Sequence, residues 1–264
     1  MEALPSPLSV SVEGAVARVR LERPEKRNAF DERLAAALEQ AFASLAARGD
    51  VRVAVLSGAG AAFCAGGDLE WMRRAAQRSR EENLADAAAF QRAYEAIDTA
   101  PFAVVARVHG AALGGGAGMV AACDVALAAE GTSFGFTEVR LGLVPGVISP
   151  YVLRRIGPGP ARRWFVTGER FDADEAQRMG LVHVVAPEAQ LDVEVTRVVD
   201  ALKACSPQAV AHAKAVLRAQ AAAGGDRDLQ QRLAREAIAD ARASADGREG
   251  TTAFLEKRKP RWAP

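Results

Sequence analysis

Apolar positions change period several times along the 264 residues, and each change marks an element. Between residues 10 and 21 apolar and polar positions alternate (Val16, Arg18, Val19, Arg20, Leu21), which predicts paired strands turning at Glu13-Gly14. Pro24 and the charges around it break either period and predict a loop. From Asp31, a capping residue, Leu34, Leu38, Phe42 and Leu45 recur at helical spacing and stop at Gly49. Residues 51–56 read as a buried strand, and residues 58–67 as a glycine-rich loop opening into a helix near Asp68. Helical spacing resumes over residues 81–98, with Leu84, Ala88, Tyr94 and Ile97 predicted inward. Residues 102–108 form a second apolar run, followed by a glycine-rich turn (110–118) and a helix; residues 123–128 form a third. Strand–loop–helix units in series predict an α/β layered domain with largely parallel strands. Past residue 187 the strand signals stop, and residues 188–204, 207–223, 229–243 and 251–257 read helical. Thinly amphipathic helices of this kind fit a subunit interface or a closing layer on their own domain.

Composition narrows the class. Half the residues are hydrophobic and a quarter charged, ordinary for a globular chain long enough to bury a core without disulfides or metals. With 34 basic and 33 acidic residues, nothing electrostatic favours nucleic acid or an anionic membrane as partner. The longest uncharged stretch, residues 108–123, is too short to span a bilayer. Residues 1–7 lack a basic start and an apolar signal core, so a cytoplasmic location is expected. Cys64, Cys123 and Cys205 form no CxxC, and no histidine pair has ligand spacing. They read as three buried free thiols in a reducing compartment, with no metal site.

Two glycine-rich loops each follow a strand and feed a helix: Phe63-Cys-Ala-Gly-Gly-Asp-Leu69 and His109-Gly-Ala-Ala-Leu-Gly-Gly-Gly-Ala-Gly118. A helix N-terminus carries unpaired N–H groups and partial positive charge, and glycine lets the backbone approach a bound group. Two such ends, if they converge, offer two donors to one developing oxyanion; separately, each is also ordinary turn geometry. Gly116-Ala-Gly118-Met-Val-Ala121 matches the dinucleotide pattern GxGxxA, with Glu138 about 20 residues beyond. Its glycines come several residues after the strand ends, and Glu138 does not end a core strand, which argues against a Rossmann site. His109, His183 and His212 show no triad spacing and read as structural. Trp71 and Met72 fit either a pocket wall or core packing.

In their order and spacing these motifs resemble the enoyl-CoA hydratase/isomerase, or crotonase, superfamily, over almost the whole chain. The resemblance rests on Leu21-Glu-Arg-Pro-Glu-Lys-Arg-Asn-Ala29, the two glycine loops, Ala122-Cys-Asp124, Phe134-Gly-Phe-Thr-Glu138 and Leu141-Gly-Leu-Val-Pro-Gly146. It continues through Thr167-Gly168, residues 176–182 and Phe254-Leu-Glu-Lys-Arg258. It implies a crotonase (ClpP-like) spiral of ββα units over residues 1–187, and a helical trimerisation region over residues 188–264. It implies an acyl-CoA thioester substrate, no cofactor beyond the coenzyme A that the substrate carries, and a homotrimer or dimer of trimers. Gly67 and Gly115 match the oxyanion-hole positions and Glu138 a catalytic glutamate. Lys26, Arg27 and Ala65 match positions along the CoA phosphates and adenine; Gly66, Asp68 and Leu69 share that binding loop. The Asp68 carboxylate, like that of Asp124, reads as a cap or brace. Phe254 and Lys257 match a segment that encloses a neighbouring subunit's CoA.

One departure carries the most information. Many hydratases of this superfamily have a first glutamate two residues after the glycine triplet, and here that residue is Gly118. A single carboxylate supports two reactions. Glu138 can direct a water at Cβ and pass a proton to Cα, or it can shuttle a proton between carbons and shift the double bond. The segment Pro145-Gly-Val-Ile-Ser-Pro-Tyr151, together with Phe136-Thr-Glu-Val-Arg140, is most similar to bacterial methylglutaconyl-CoA hydratase-like members. The expectation is therefore hydration of a short or branched 2-enoyl-CoA, with isomerisation as the alternative and a non-catalytic acyl-CoA binder as the third. A distal carboxylate on the substrate would need a cation, for which Arg140, Arg154 and Arg155 are candidates, each also readable as a surface arginine. No basic stripe supports RNA binding.

Overall fold

In the computed structural model residues 6–263 are described, so the part of the leader reading at residues 1–5 lies outside them. The chain opens with strands β1 (Leu8–Glu13) and β2 (Val16–Leu21), helix α1 (Glu32–Arg48) and strand β3 (Val53–Gly58). Helices α2 (Leu69–Ala75) and α3 (Arg80–Asp98) precede β4 (Ala103–Val108), the short β5 (Ala111–Leu113) and α4 (Gly115–Ala122). Next come β6 (Val125–Ala129), β7 (Ser133–Gly135), α5 (Ser149–Ile156) and α6 (Pro158–Thr167). They are followed by β8 (Arg170–Phe171), α7 (Ala173–Arg178) and β9 (Val184–Ala186). The chain closes with α8 (Glu188–Lys203), α9 (Pro207–Ala222), α10 (Arg227–Ala243) and α11 (Ala245–Leu255).

The main sheet has the order β1-β2-β3-β4-β6-β9 and is parallel except for β1. A second sheet, β5-β7-β8, carries the region between the glycine loops and Glu138. The central strands β3, β4 and β6 are largely apolar because both faces of the sheet are covered there, whereas β1 and β2 alternate and leave one side exposed. Ala54, Leu56, Val104 and Ala106 face a core shared with Leu38 and Phe42 of α1 and Ala93 and Ile97 of α3. The alternate residues Val53, Val55, Val105 and Leu127 face Leu191, Val195 and Val199 of α8. Each such burial is worth about 1.5–3 kcal/mol for a large aliphatic or aromatic side chain.

Several expectations need adjusting. Helix α8, the first of the C-terminal helices, covers one face of the sheet, which is the closing layer that the sequence left open as one of two readings. The thin burial predicted for the tail belongs to α9, with only Lys214 buried, and to α10, with no buried residue. In α3 the buried side chains are Phe90, Ala93, Tyr94 and Ile97, whereas Leu84 and Ala88 are exposed. The early turns of α3 are tied down by polar contacts, Trp71 and Arg78 both donating to Asp86. Helical spacing defines a face but not which turns of a long helix reach the core. Cys64 and Cys123 are buried, but Cys205, at the α8–α9 junction, is exposed. Among the described residues no helix is long and apolar enough to cross a membrane, and no His/Cys/Asp/Glu cluster is arranged for a metal.

Candidate active site

The site begins with a strained loop. Arg27 and Asn28 both adopt positive φ, 51° and 56°, a conformation unfavourable for residues with a Cβ. It persists because the buried Asn28 is held from three directions. Its Nδ2 donates to the carbonyls of Ala59 and Ala62, both at 2.8 Å, and its Oδ1 accepts from the Arg23 N–H at 2.9 Å. The Arg27 carbonyl accepts from the Ala65 N–H at 3.0 Å, which lays the first glycine loop alongside. On its other side that loop pairs with residues 109–113, through Cys64 N–H to Ala111 O at 2.9 Å and Leu113 N–H to Cys64 O at 3.0 Å. Phe30 N–H donates to Gly66 O and Asp68 N–H to Phe30 O. Among the described residues the Gly67 N–H is left with no acceptor.

The second loop ends in a helix start. Gly114 (φ 48°) precedes α4, and Gly115 is the first helical residue, so its N–H is one of the helix's unpaired donors. The helix presses against the first loop: a Cβ on Gly116 would lie 2.5 Å from the Cys64 carbonyl. The glycines of the dinucleotide-like pattern therefore serve helix packing inside α4.

Both loops open onto one cavity of about 330 Å³. Ala65, Gly66, Gly67, Leu69, Gly115 and Glu138 line it together, as do Trp71 and Met72. The rest of the wall is largely apolar, including Phe30, Phe90, Leu113, Val147 and Ile148. Glu138 enters from a single turn of 3-10 helix (Glu138–Leu141) after β7. Its Oε1 stands 3.2 Å from where a Cβ on Gly114 would be, and its Oε2 is buried with no hydrogen-bond partner. Burial raises its pKa above the ordinary glutamate value, opposed only by a hydrogen bond from its own backbone. A carboxylate tuned upward beside two free N–H groups is equipped to move protons next to a developing oxyanion.

The other expected residues lie outside this cavity. Asp68 does not line the cavity; it is 3 % exposed and caps α2 by accepting from Glu70 and Trp71 N–H. Burial opposes its ionisation, but the Trp71 and Glu70 N–H groups and Lys26 outweigh that and hold its pKa down at about 2. Arg23 bridges Asp68 and Asp31 at 2.9 and 2.8 Å. Lys26 is paired with Asp68 and Glu70 at 3.1 and 2.8 Å, whereas Arg27 is exposed at the rim of the loop. Phe254 is 82 % exposed and, like Lys257, lies outside this cavity. Arg140, Arg154 and Arg155 are also outside it. The cationic side chain that does line it is Arg170, from β8, which the sequence reading passed over because two residues of strand carry no periodicity. His109 Nε2 meets Gly60 O at 2.8 Å and His183 Nδ1 accepts from Ala126 N–H at 3.0 Å, both bracing backbone; His212 lies exposed on α9.

The missing first glutamate also has a structural counterpart. A Cβ on Gly118 would fall 2.2 Å from Ile148 Cγ2 and 3.3 Å from Tyr94 Cε1. The two sequence departures, Gly118 and the 145–151 segment, are thus one packing arrangement: with Ile148 in place, no side chain fits at position 118.

Residues 11–264 match the model of the Enoyl-CoA hydratase/isomerase family. The chain is 39% identical to an enoyl-CoA hydratase from Shewanella pealeana, covering 97% of this chain and 96% of that one, with a TM-score of 0.92. An enoyl-CoA hydratase from Mycobacterium smegmatis superposes with a TM-score of 0.90 at 36% identity, covering 98% and 99% of the two chains. The mitochondrial enoyl-CoA hydratase domain-containing protein 3 of Mus musculus is 32% identical over 99% of this chain and 86% of its own.

Proposed function

Because this chain belongs to the enoyl-CoA hydratase/isomerase family, we propose that it adds water to a short or branched 2-enoyl-CoA, such as methylglutaconyl-CoA, with Glu138 as the single acid/base. The observation that carries this reading is the Glu138 carboxylate, one oxygen unpartnered, in a largely apolar cavity beside the free N–H groups of Gly67 and Gly115. In the reaction the water oxygen bonds to Cβ and the double-bond pair moves toward the thioester. The resulting enolate oxygen meets the two N–H groups, each worth about 3 kcal/mol in the transition state. Glu138 takes the proton that the water loses and returns it to Cα. A raised pKa suits both halves of that cycle.

The relatives named above as hydratases support water addition over double-bond transfer. Gly118, which leaves a single carboxylate, is the observation that favours an isomerase instead. Arg170 at the cavity wall is the residue placed to meet a distal carboxylate on the acyl group. The same reading keeps the chain as a homotrimer or dimer of trimers in the cytoplasm. The exposed Phe254 and Leu255 and the unburied α10 support contact with a neighbour.

The test incubates wild type and Glu138→Gln with crotonyl-CoA, 3-methylglutaconyl-CoA and a 3-enoyl-CoA and identifies products by mass. Gain of one water by wild type, reduced about 1,000-fold in the variant, is the expected result. Equal-mass conversion of the 3-enoyl substrate without water uptake would establish the isomerase instead. CoA binding without turnover, unchanged in Glu138→Gln, would establish a binding subunit. Arg170→Ala should raise KM about tenfold for 3-methylglutaconyl-CoA and leave crotonyl-CoA unaffected.

A further inference from the structure

Hydration needs its water held as well as deprotonated, and Glu138 alone supplies one contact. The cavity has few other polar side chains. The Trp71 indole N–H is committed to Asp86 at 2.8 Å, Arg170 is exposed, and Thr137 shares the turn of Glu138. Tyr94 comes from a different element, α3, and stands in the space next to Gly118 described above. Its ring is fixed by contacts with Phe30 and Tyr151, at centroid distances of 5.5 and 5.7 Å, and is 2 % exposed. The phenol O–H donates to the Gly115 carbonyl at 3.1 Å. A Cβ on Gly115 would lie only 2.8 Å from that hydroxyl. Burial, with Cys64, Glu138 and Tyr151 nearby, pushes the phenol pKa well above its ordinary value, so the group stays neutral. With its one proton on Gly115, the oxygen keeps its acceptor capacity for a guest in the cavity.

The geometry points to Tyr94 as the residue that holds the attacking water, accepting one of its hydrogens while Glu138 receives the other. This rests on the hydratase reading above. The water's lone pair forms the C–O bond at Cβ. The proton facing Glu138 leaves and later forms the C–H bond at Cα, and the hydrogen facing Tyr94 stays on the new hydroxyl. One water is consumed for each double bond, and the tyrosine keeps its own proton throughout. A neutral phenol on α3 thereby takes a task for which position 118 has no room.

Tyr94→Phe keeps the ring packing and removes only the hydroxyl, and a thermal melt checks that it does. Hydration of the preferred 2-enoyl-CoA is compared with exchange of the α-proton of butyryl-CoA in deuterated water, a step that needs Glu138 and the N–H groups but no attacking water. The expected result is a fall of about 30-fold in hydration kcat with little change in KM and exchange close to wild type. Hydration at the wild-type rate overturns the proposal. Equal loss of hydration and exchange also overturns it, because the hydroxyl then only positions Gly115. Absence of water uptake by wild type itself overturns the hydratase reading, and this proposal with it.

Discussion

The two ends of α4 open onto two cavities of comparable size. At its N-terminus Gly115 faces the cavity of about 330 Å³, with an unpaired N–H and a carboxylate that has one oxygen unpartnered. At its C-terminus a second cavity, of about 400 Å³, holds far more charge: Asp98, Asp124, Arg154, Arg155 and Lys214 all line it. There every one of those charges is engaged. Lys214 bonds Asp124 at 2.7 Å and the Phe102 carbonyl at 2.8 Å, and Arg154 pairs with Asp98. Arg155 donates to the carbonyls of Ala121, Cys123 and Asp124. The difference teaches that charge density does not mark the reactive end. Paired charges brace a helix terminus, whereas a lone titratable group among apolar walls keeps its reactivity for a guest.

Breaking the braced end should cost stability without touching chemistry. Lys214→Met leaves Asp124 without its cation and should lower unfolding free energy by about 3 kcal/mol in denaturant titrations. At a temperature where the variant is folded, kcat should equal that of wild type. A folded variant with impaired kcat would mean that the two ends of α4 are functionally coupled.

A smaller effect probes the packing at the reactive end. Gly118→Glu collides with Ile148 and should cost about 2 kcal/mol by overpacking. Adding Ile148→Gly should restore most of that loss in the same denaturant assay. If the single variant is as stable as wild type, Ile148 does not exclude a side chain there.

The smallest expected effect concerns the lone carboxylate itself. The native pKa of Glu138 lies above the ordinary 4.5, so between these values the folded state holds a proton that the unfolded chain has released. Stability therefore falls as pH rises through that window and stays lower above it. Glu138→Gln, which never ionises, should match wild type below the window and be more stable than it above. A melt series from acid to neutral pH reads this directly. In activity the sign reverses: kcat/KM should rise with pH as Glu138 ionises, with a midpoint above 4.5.

Much of this organisation was legible in the residues alone. Period-2 and helical spacing located the hairpin, α1 with its Asp31 cap, and the apolar strands, because local geometry and burial write directly into sequence period. The glycine loops and Glu138 could be singled out because unpaired helix N-termini and a carboxylate are chemical facts of composition and order. What sequence could not decide were properties that depend on distant neighbours. Leu84 and Ala88 keep helical spacing yet remain exposed, and Cys205 is exposed where Cys64 and Cys123 are buried. Arg170 reached the cavity on a two-residue strand, and Tyr94 brought a hydroxyl to Gly115 from 21 residues away. Sequence determined which groups exist and which local elements carry them. Only the packing of α3, α4 and the 145–151 segment decided which group is buried beside which, since burial and pairing are properties of the folded surroundings rather than of the residue.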